Sequence, residues 1–329
     1  MSPLPALNLF YEEPDPDRWL PFDRYPRKIV RALVRGPAQP RGTMRAFLNL
    51  VAGLDRIGVR HRINDYRRLR SAEHDELVCL FGKPHVLEKI PAQAPILFGT
   101  SIYSHPADDP ELPRRRHIRR VLVPSAWVQR MFAEVWPDIV SVWPVGIDTG
   151  LWTPAPDRRR DIDVLIYDKI VWQREHYERA LLEPLRGELS RRGLQVATLR
   201  YGHYREEELL ALSKQVRVMV FFSRHETQGI AAQQMLAAGV PLFAWDEGGF
   251  WQDPKYFPLQ VRFQPVTSVP YWDDRCGVKF HGSADLLDRF DEMWRGVETE
   301  RFAPREMILE NFTLERRAQE YVDLVRTYG

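Results

Sequence analysis

Cysteine is almost missing from this chain of 329 residues: Cys79 and Cys276 are the only two. Two are too few for a disulfide framework or a cysteine-built metal site. Each lies in or beside a strand-like apolar run, where a thiol packs as a small apolar side chain. Long apolar stretches are also lacking. None approaches the roughly 20 residues that span a bilayer, and Met1-Ser2-Pro3-Leu4-Pro5 carries no charged stretch ahead of a long apolar one. A cytoplasmic location is the expectation that follows. No Asp-x-Asp pair stands where it would hold a metal on a phosphate, so neither metal nor cofactor is expected. Net charge is low, at +2, and no recognition-helix, zinc or RNA-binding signature accompanies it, which argues against nucleic acid as a partner.

What is present fits a globular protein, with 44% hydrophobic and 28% charged residues. The length suits two domains of about 150 residues each. Charge is spread unevenly: residues 1–150 hold 22 Lys and Arg against 17 Asp and Glu, or +5, which leaves 25 against 28, or −3, for the rest. The excess sits between Arg24 and Arg45 and in Arg114-Arg115-Arg116-His117-Ile118-Arg119-Arg120. It reads either as a solvated arginine-rich surface or as a peripheral contact with an anionic membrane or lipid-linked phosphate at the inner membrane face.

Strand-like and helix-like segments alternate through both halves. In the first, residues 27–35 fit a strand better than a helix. A loop from Gly36 to Thr43 leads to a helix over 43–57 that Gly58 ends. Short strands follow at 77–81, 96–99 and 121–124, the last feeding a helix over 125–135 with Ser125 as its N-cap. Gly146 to Asp157 is rich in turn formers and reads as a linker. The second half continues with strands at 164–167, 195–201, 216–222 and 241–245, alternating with helices at 175–192, 205–214 and 228–238, and closes with amphipathic helices at 284–297 and 314–328. Strands apolar on both faces mean a parallel sheet covered on two sides. The expected fold is α/β, with two doubly wound Rossmann-like domains across a cleft: residues 1–152, residues 153–305, and a final helix over 306–329 packing back toward the first. Ligands of such sheets bind at the carboxyl ends of the strands.

One passage concentrates chemistry. The apolar run that ends Phe221-Phe222-Ser223-Arg224-His225 meets a carboxylate, Glu226. The chain then turns through Thr227, Gln228 and Gly229 into the helix expected over 228–238, which stops at Gly239 before Val240-Pro241. A carboxylate and the unpaired N–H groups of a helix start are thereby aimed at one point, which suits a polyol attached to a diphosphate. The other reading of Glu226 is a helix-start acid favoured by the dipole.

Together with Val121-Leu122-Val123-Pro124-Ser125-Ala126-Trp127-Val128, Trp143-Pro144-Val145-Gly146-Ile147-Asp148 and Trp245-Asp246-Glu247-Gly248-Gly249, the passage resembles family-4-like glycosyltransferases (glycosyltransferase group 1) of the GT-B fold. The resemblance follows element order over residues 27–250. It implies transfer of a sugar from a nucleotide-diphosphate sugar to a carbohydrate, lipid-linked or small-molecule acceptor, as in polysaccharide biosynthesis, with retention and no metal. It places Glu226 on the donor sugar's hydroxyls. Gln234 stands where the family has a second glutamate, on the ribose, and offers one acceptor oxygen in place of two.

The family's basic pair on the donor phosphates falls on Lys169 and Arg174, which otherwise read as a solvated basic loop. Its usual glycine-rich turn is here Tyr167-Asp168-Lys169-Ile170-Val171-Trp172. Gly202 and His203 border the nucleotide base or form a surface turn. On the acceptor side, Arg41 and Gly42 belong to a loop near the cleft or to a plain connection, and Lys83 and His85 follow a strand. His105 falls where relatives keep a histidine beside the transferred sugar; it would serve as base if the reaction inverts, and is otherwise structural. The aromatic segments 248–254 and 268–277 read as a sugar shelf or as packing. Two further functions remain open: a nucleotide-sugar isomerase or epimerase of the same fold, and a non-catalytic nucleotide-sugar-binding protein.

Overall fold

The computed structural model describes residues 6–13, 42–71, 76–100, 102–155 and 160–329. Two compact units emerge. The first comprises the described residues up to Pro124, then 132–146 and 317–329; the second comprises 125–131 and 147–316.

The first unit is built on a six-stranded parallel sheet of β1 (Leu7–Phe10), β2 (His61–Ile63), β3 (Val78–Leu80), β4 (Ile96–Phe98), β5 (Ile118–Val123) and β6 (Val140–Val142), in spatial order β2-β1-β3-β4-β5-β6. The expected strand over 27–35 lies outside the described residues. The described strand that opens the sheet is Leu-Asn-Leu-Phe, all four residues buried, which four residues of pattern were too short to announce. The helix expected over 43–57 is Gly42–Arg56, and Gly58 follows it at φ +69. The helix after β5 is Ala126–Ala133. Ser125 precedes it and its carbonyl accepts from the Gln129 N–H at 2.9 Å, but its buried hydroxyl finds no hydrogen-bond partner among the described residues, so the expected side-chain cap does not form. Cys79 is buried, and burial pushes its thiol up to about 12.

The second unit carries a five-stranded parallel sheet of β7 (Ile162–Lys169), β8 (Val196–Arg200), β9 (Val216–Ser223), β10 (Leu242–Trp245) and β11 (Gly277–Phe280), ordered β11-β10-β9-β7-β8. β7, β9 and β10 bury both faces. Leu165, Tyr167, Met219 and Phe221 join one apolar cluster, while Val164, Ile166, Val218, Val220 and Phe222 join another on the opposite face. Strict alternation between two cores is what period-2 side chains of a covered parallel sheet require.

The helix expected over 175–192 is broken into Arg174–Tyr177, a π turn at Glu178–Leu182 and a helix at Glu183–Arg191. Pro184 lacks an N–H and its ring crowds the carbonyl four residues earlier, which opens the preceding turn. The closing helices are Leu286–Glu298, Pro304–Asn311 and Leu314–Tyr328. No helix among the described residues is long and apolar enough to cross a membrane.

The strand orders fix where each sheet can receive a ligand. In the second unit the chain runs from β7 outward to β8, then returns to lay β9 on the other side of β7. The connections diverge between β7 and β9, and a crevice opens at their carboxyl ends. In the first unit the same reversal falls between β1 and β3.

Candidate active site

At the reversal point of the second unit, Lys169 closes β7 directly opposite Ser223, which closes β9. Three residues later Glu226 turns back over this edge. Lys169 Nζ donates to Glu226 Oε1 at 2.6 Å, and the Ser223 hydroxyl donates to the same oxygen at 2.8 Å. The Glu226 peptide is held on both sides: its N–H donates to the Thr267 carbonyl at 3.0 Å, and its carbonyl accepts from Trp127 Nε1 at 3.0 Å. Burial alone would lower the Lys169 pKa; the charge of Glu226, followed by the nearby Tyr201, outweighs it, and the ammonium is held above its ordinary range. Tyr201 places its ring face 4.3 Å from Nζ, a cation–π contact.

Beyond Glu226, Thr227 is exposed and Gln228 and Gly229 are buried. Gly229 occupies the N-cap of the helix Ile230–Ala237 at φ +78, ψ 49, a left-handed conformation that an L side chain adopts at a cost. The Gln228 side chain donates from Nε2 to Gln233 Oε1 at 2.8 Å. The first N–H groups of this helix have no intrahelical partner, and they open beside the Lys169–Glu226 pair. Gln234, 4% exposed, is not on the helix surface: its Nε2 donates to Glu206 Oε1 at 2.8 Å.

Arg174 stands next to the pair in sequence but is committed elsewhere. Its two terminal nitrogens fork onto Asp168 Oδ1 and Oδ2, both at 2.7 Å, and its Nε reaches Glu178 at 3.3 Å. Asp168 is 3% exposed, so the fork neutralises a buried carboxylate at the end of β7. Gly202, at φ +81, and His203 lie on the exposed turn after β8.

His225 sits between two indoles, stacked on Trp172 at 5.3 Å and edge-on to Trp127 at 6.1 Å, and burial lowers its pKa. In the neighbouring loop Trp251 and Tyr256 stack at 5.3 Å and are 4% and 2% exposed, so these two rings serve packing within their own loop.

In the first unit the reversal point between β1 and β3 gathers other groups. Glu12 accepts from the Tyr66 hydroxyl at 2.8 Å and from Lys89, with His85 Nε2 4.0 Å away. Burial of this carboxyl would raise its pKa, but the bonds from Lys89 and Tyr66 hold it low. Lys83 precedes the 3₁₀ turn Pro84–Lys89 that carries His85. Gly82 admits the chain here at φ +94: a Cβ would lie 2.9 Å from the Tyr11 ring. Gly42 begins its helix, and Arg41 lies outside the described residues. His105 is 3% exposed, and its Nδ1 accepts from the Ala107 N–H at 3.0 Å, capping the turn Pro106–Asp108. Burial lowers its pKa to about 4 against the smaller pull of Asp108.

The second unit therefore brings together Glu226, Lys169, Gln228, Gly229, Ile230 and Gln234, with Gly202 and His203 on the adjoining turn. Gly42, Lys83, His85 and His105 belong to the first unit. Among the described residues no group of three or more His, Cys, Asp or Glu side chains is arranged to hold a metal ion. Sequence reasoning passed over Ser223, Thr267 and Glu206, and over Trp127 as a contact of this edge. Ser223 was within reach as the last residue of an apolar run ending near an acid; the other three reach this edge from remote segments.

No family model and no curated protein matches the sequence. Solved structures do match. A sucrose-phosphate synthase from Thermosynechococcus elongatus is 12% identical, with 98% of this chain and 99% of that one covered at a TM-score of 0.55. Anabaena HepE, solved in complex with UDP, is 12% identical, with 98% and 100% covered at 0.55. The chain has the GT-B fold. Two parallel α/β units, of six and five strands, are what the resemblance implied.

Proposed function

We propose that the chain is a glycosyltransferase that moves a sugar from a nucleotide-diphosphate sugar to a carbohydrate, lipid-linked or small-molecule acceptor, with retention and without a metal ion. The observation that carries this reading is the Lys169–Glu226 pair, 2.6 Å apart at the reversal point of a parallel sheet, beside the start of the helix Ile230–Ala237. Glu226 accepts hydrogen bonds from the donor sugar. Lys169 and the backbone N–H groups of Gln228, Gly229 and Ile230 meet the negative charge that grows on the diphosphate as the glycosidic bond breaks. Arg174 acts one step back, by holding Asp168 and with it the end of β7. The departing phosphate accepts the proton of the acceptor hydroxyl on the same face, so no carboxylate base is needed. The complex of Anabaena HepE makes UDP the first nucleotide to try.

Thermal-shift screening with UDP, GDP, ADP and dTDP sugars tests the donor site, and stabilisation by none of them sinks the reading. With the donor identified, Glu226→Ala lowers transfer at least about 100-fold, the loss expected for a charged contact made in the transition state, and leaves nucleoside diphosphate affinity within about threefold. Unchanged transfer overturns the assignment. Activity that persists in excess EDTA supports charge neutralisation by Lys169 and the helix amides. Turnover of the nucleotide sugar with no acceptor and no hydrolysis would instead identify an isomerase.

A further inference from the structure

We propose that the loop joining β10 to β11 docks on an anionic lipid bilayer through an apolar apex, Phe257-Pro258-Leu259, with Lys255 and Arg262 meeting the headgroup phosphates. The contact stands apart from the donor-site reading. Leu259 is 97% exposed, whereas the next most exposed large apolar side chain among the described residues is Val171 at 54%. The backbone holds this leucine out. The Tyr256 and Phe257 N–H groups donate to the Asp253 carbonyl at 3.0 and 2.9 Å, and those of Gln260 and Val261 donate to the Tyr256 carbonyl at 2.7 and 3.0 Å. The turn is thus closed on both sides of Pro258 and Leu259, and its root is packed, with the Tyr256 ring stacked on Trp251 at 5.3 Å. Further in, the Trp251 N–H donates to the Phe263 carbonyl at 2.8 Å and the Val266 N–H to the Gly249 carbonyl at 3.1 Å. The two limbs of the loop are bonded to each other, and the apex stands on a braced stalk. Its base carries Thr267 and Gln252, which hold the Glu226 N–H and the His225 ring, so whatever binds the apex is tied through one short stalk to the candidate site.

The chemistry of the apex selects its occupant. Phe257 is partly buried against Phe250, their rings 5.6 Å apart, and the Arg262 guanidinium lies 5.3 Å over the Phe250 ring. Residues 248–266 hold Lys255 and Arg262, both exposed, against one acid, Asp253, whose Oδ1 accepts the Lys255 N–H at 2.9 Å. An apolar point flanked by cations matches the layering of an anionic bilayer, in which headgroup phosphates lie above the acyl boundary. The long stems of Lys and Arg let their charges stay at the headgroups while the leucine goes deeper. A protein partner fits less well. A stable protein interface covers roughly 800 Å² on each side, far beyond what three residues of a turn present, whereas a bilayer takes in a single side chain without a matching pocket.

Leu259→Cys tests the contact directly. Cys79 and Cys276 are buried, so a thiol-reactive, polarity-sensitive dye labels position 259 alone in the full chain. On vesicles of phosphatidylcholine and phosphatidylglycerol at low salt, its emission is expected to shift to the blue, and brominated acyl chains are expected to quench it. A label that keeps its aqueous emission while the protein sediments with the vesicles overturns the proposal, and so does protein that never sediments. A blue shift that grows with protein concentration in the absence of lipid also overturns it, in favour of a second copy of the chain.

Substitution supplies the magnitude. Leu259→Asn is expected to lower the vesicle partition coefficient roughly tenfold, the value of burying one leucine, and to leave the melting temperature unchanged, as for other exposed side chains. Arg262→Gln is expected to lower it about fivefold on the anionic vesicles and to have no effect on phosphatidylcholine alone. Leu287→Asn, an exposed leucine on the helix Leu286–Glu298, is expected to change nothing. Equal effects of Leu259→Asn and Leu287→Asn, or none from either, overturn the apex as the contact.

Discussion

A histidine three per cent exposed is a different reagent from one in water. His105 accepts a backbone N–H at Nδ1 and titrates near 4, because burial disfavours the imidazolium. In the unfolded chain it titrates near 6.5. Between those values the unfolded state binds the proton and the folded state does not, so the stability His105 contributes is full above about pH 6.5 and is lost as pH falls toward 4. At pH 5 the loss is about 2 kcal/mol. His105→Asn keeps an acceptor at the cap and removes the titration. Urea unfolding at pH 7 and pH 5 is expected to show the wild type losing about 2 kcal/mol more than the variant; equal losses would end the argument. The same scale explains which site residues the sequence disclosed. Glu226 and Lys169 were legible because each follows an apolar run, at the place where a strand must end. Glu206, Thr267 and the indole of Trp127 were not, because only folding brings segments 28, 41 and 99 residues away onto the edge that carries Glu226 and Gln234.

Elements were legible in proportion to how much they bury. β7, β9 and β10 are covered on both faces and write continuous apolar runs into the sequence. β2 has three residues, none of them buried, and β11 sits at the sheet edge behind a loop, so neither stands out from its surroundings. The π turn at Glu178–Leu182 was hidden by a helical pattern that Pro184 overrides. The start of the helix Ile230–Ala237 supports a prediction at this scale. Gly229 has ordinary van der Waals space where a Cβ would sit, the nearest atom being 3.6 Å away, but its φ is +78. Strain in Gly229→Ala is thus purely a matter of backbone, worth about 1 kcal/mol. In calorimetry the melting temperature is expected to fall by about 3 °C, and nucleotide affinity to fall with it as the amides rotate. Gly229→Asn, which tolerates the left-handed region better, is expected to lose less on both counts. An alanine variant that binds and melts like wild type would show that the helix start does not form the anion site.

At the scale of the whole molecule the question is what the uneven charge is for. Much of the second basic run is spent internally. Arg114 pairs with Glu111 at 2.8 Å, Arg115 with Asp109 at 2.5 Å, and Arg116 donates to the Ile90 carbonyl at 2.8 Å. Arg120 reaches the Ser141 hydroxyl and lies over the Tyr328 ring. Exposed pairs of this kind hold little energy, yet they cancel the local field that an anionic surface would feel. The proposed contact with an anionic membrane therefore falls to Arg24, Arg27, Lys28, Arg31, Arg35 and Arg41, a stretch that holds no Asp or Glu. Each basic residue near such a surface is worth about 1 kcal/mol, and the attraction fades beyond a Debye length of about 10 Å at 0.1 M salt. Sedimentation with phosphatidylglycerol vesicles is expected to retain the protein at low salt and release it at about 0.5 M. Replacing Arg31, Arg35 and Arg41 by glutamine is expected to abolish retention, whereas Arg114→Gln with Arg119→Gln leaves most of it. Protein that stays in the supernatant at low salt would remove the membrane from this account. Equal losses in the two variants would return the contact to the net charge of the chain as a whole.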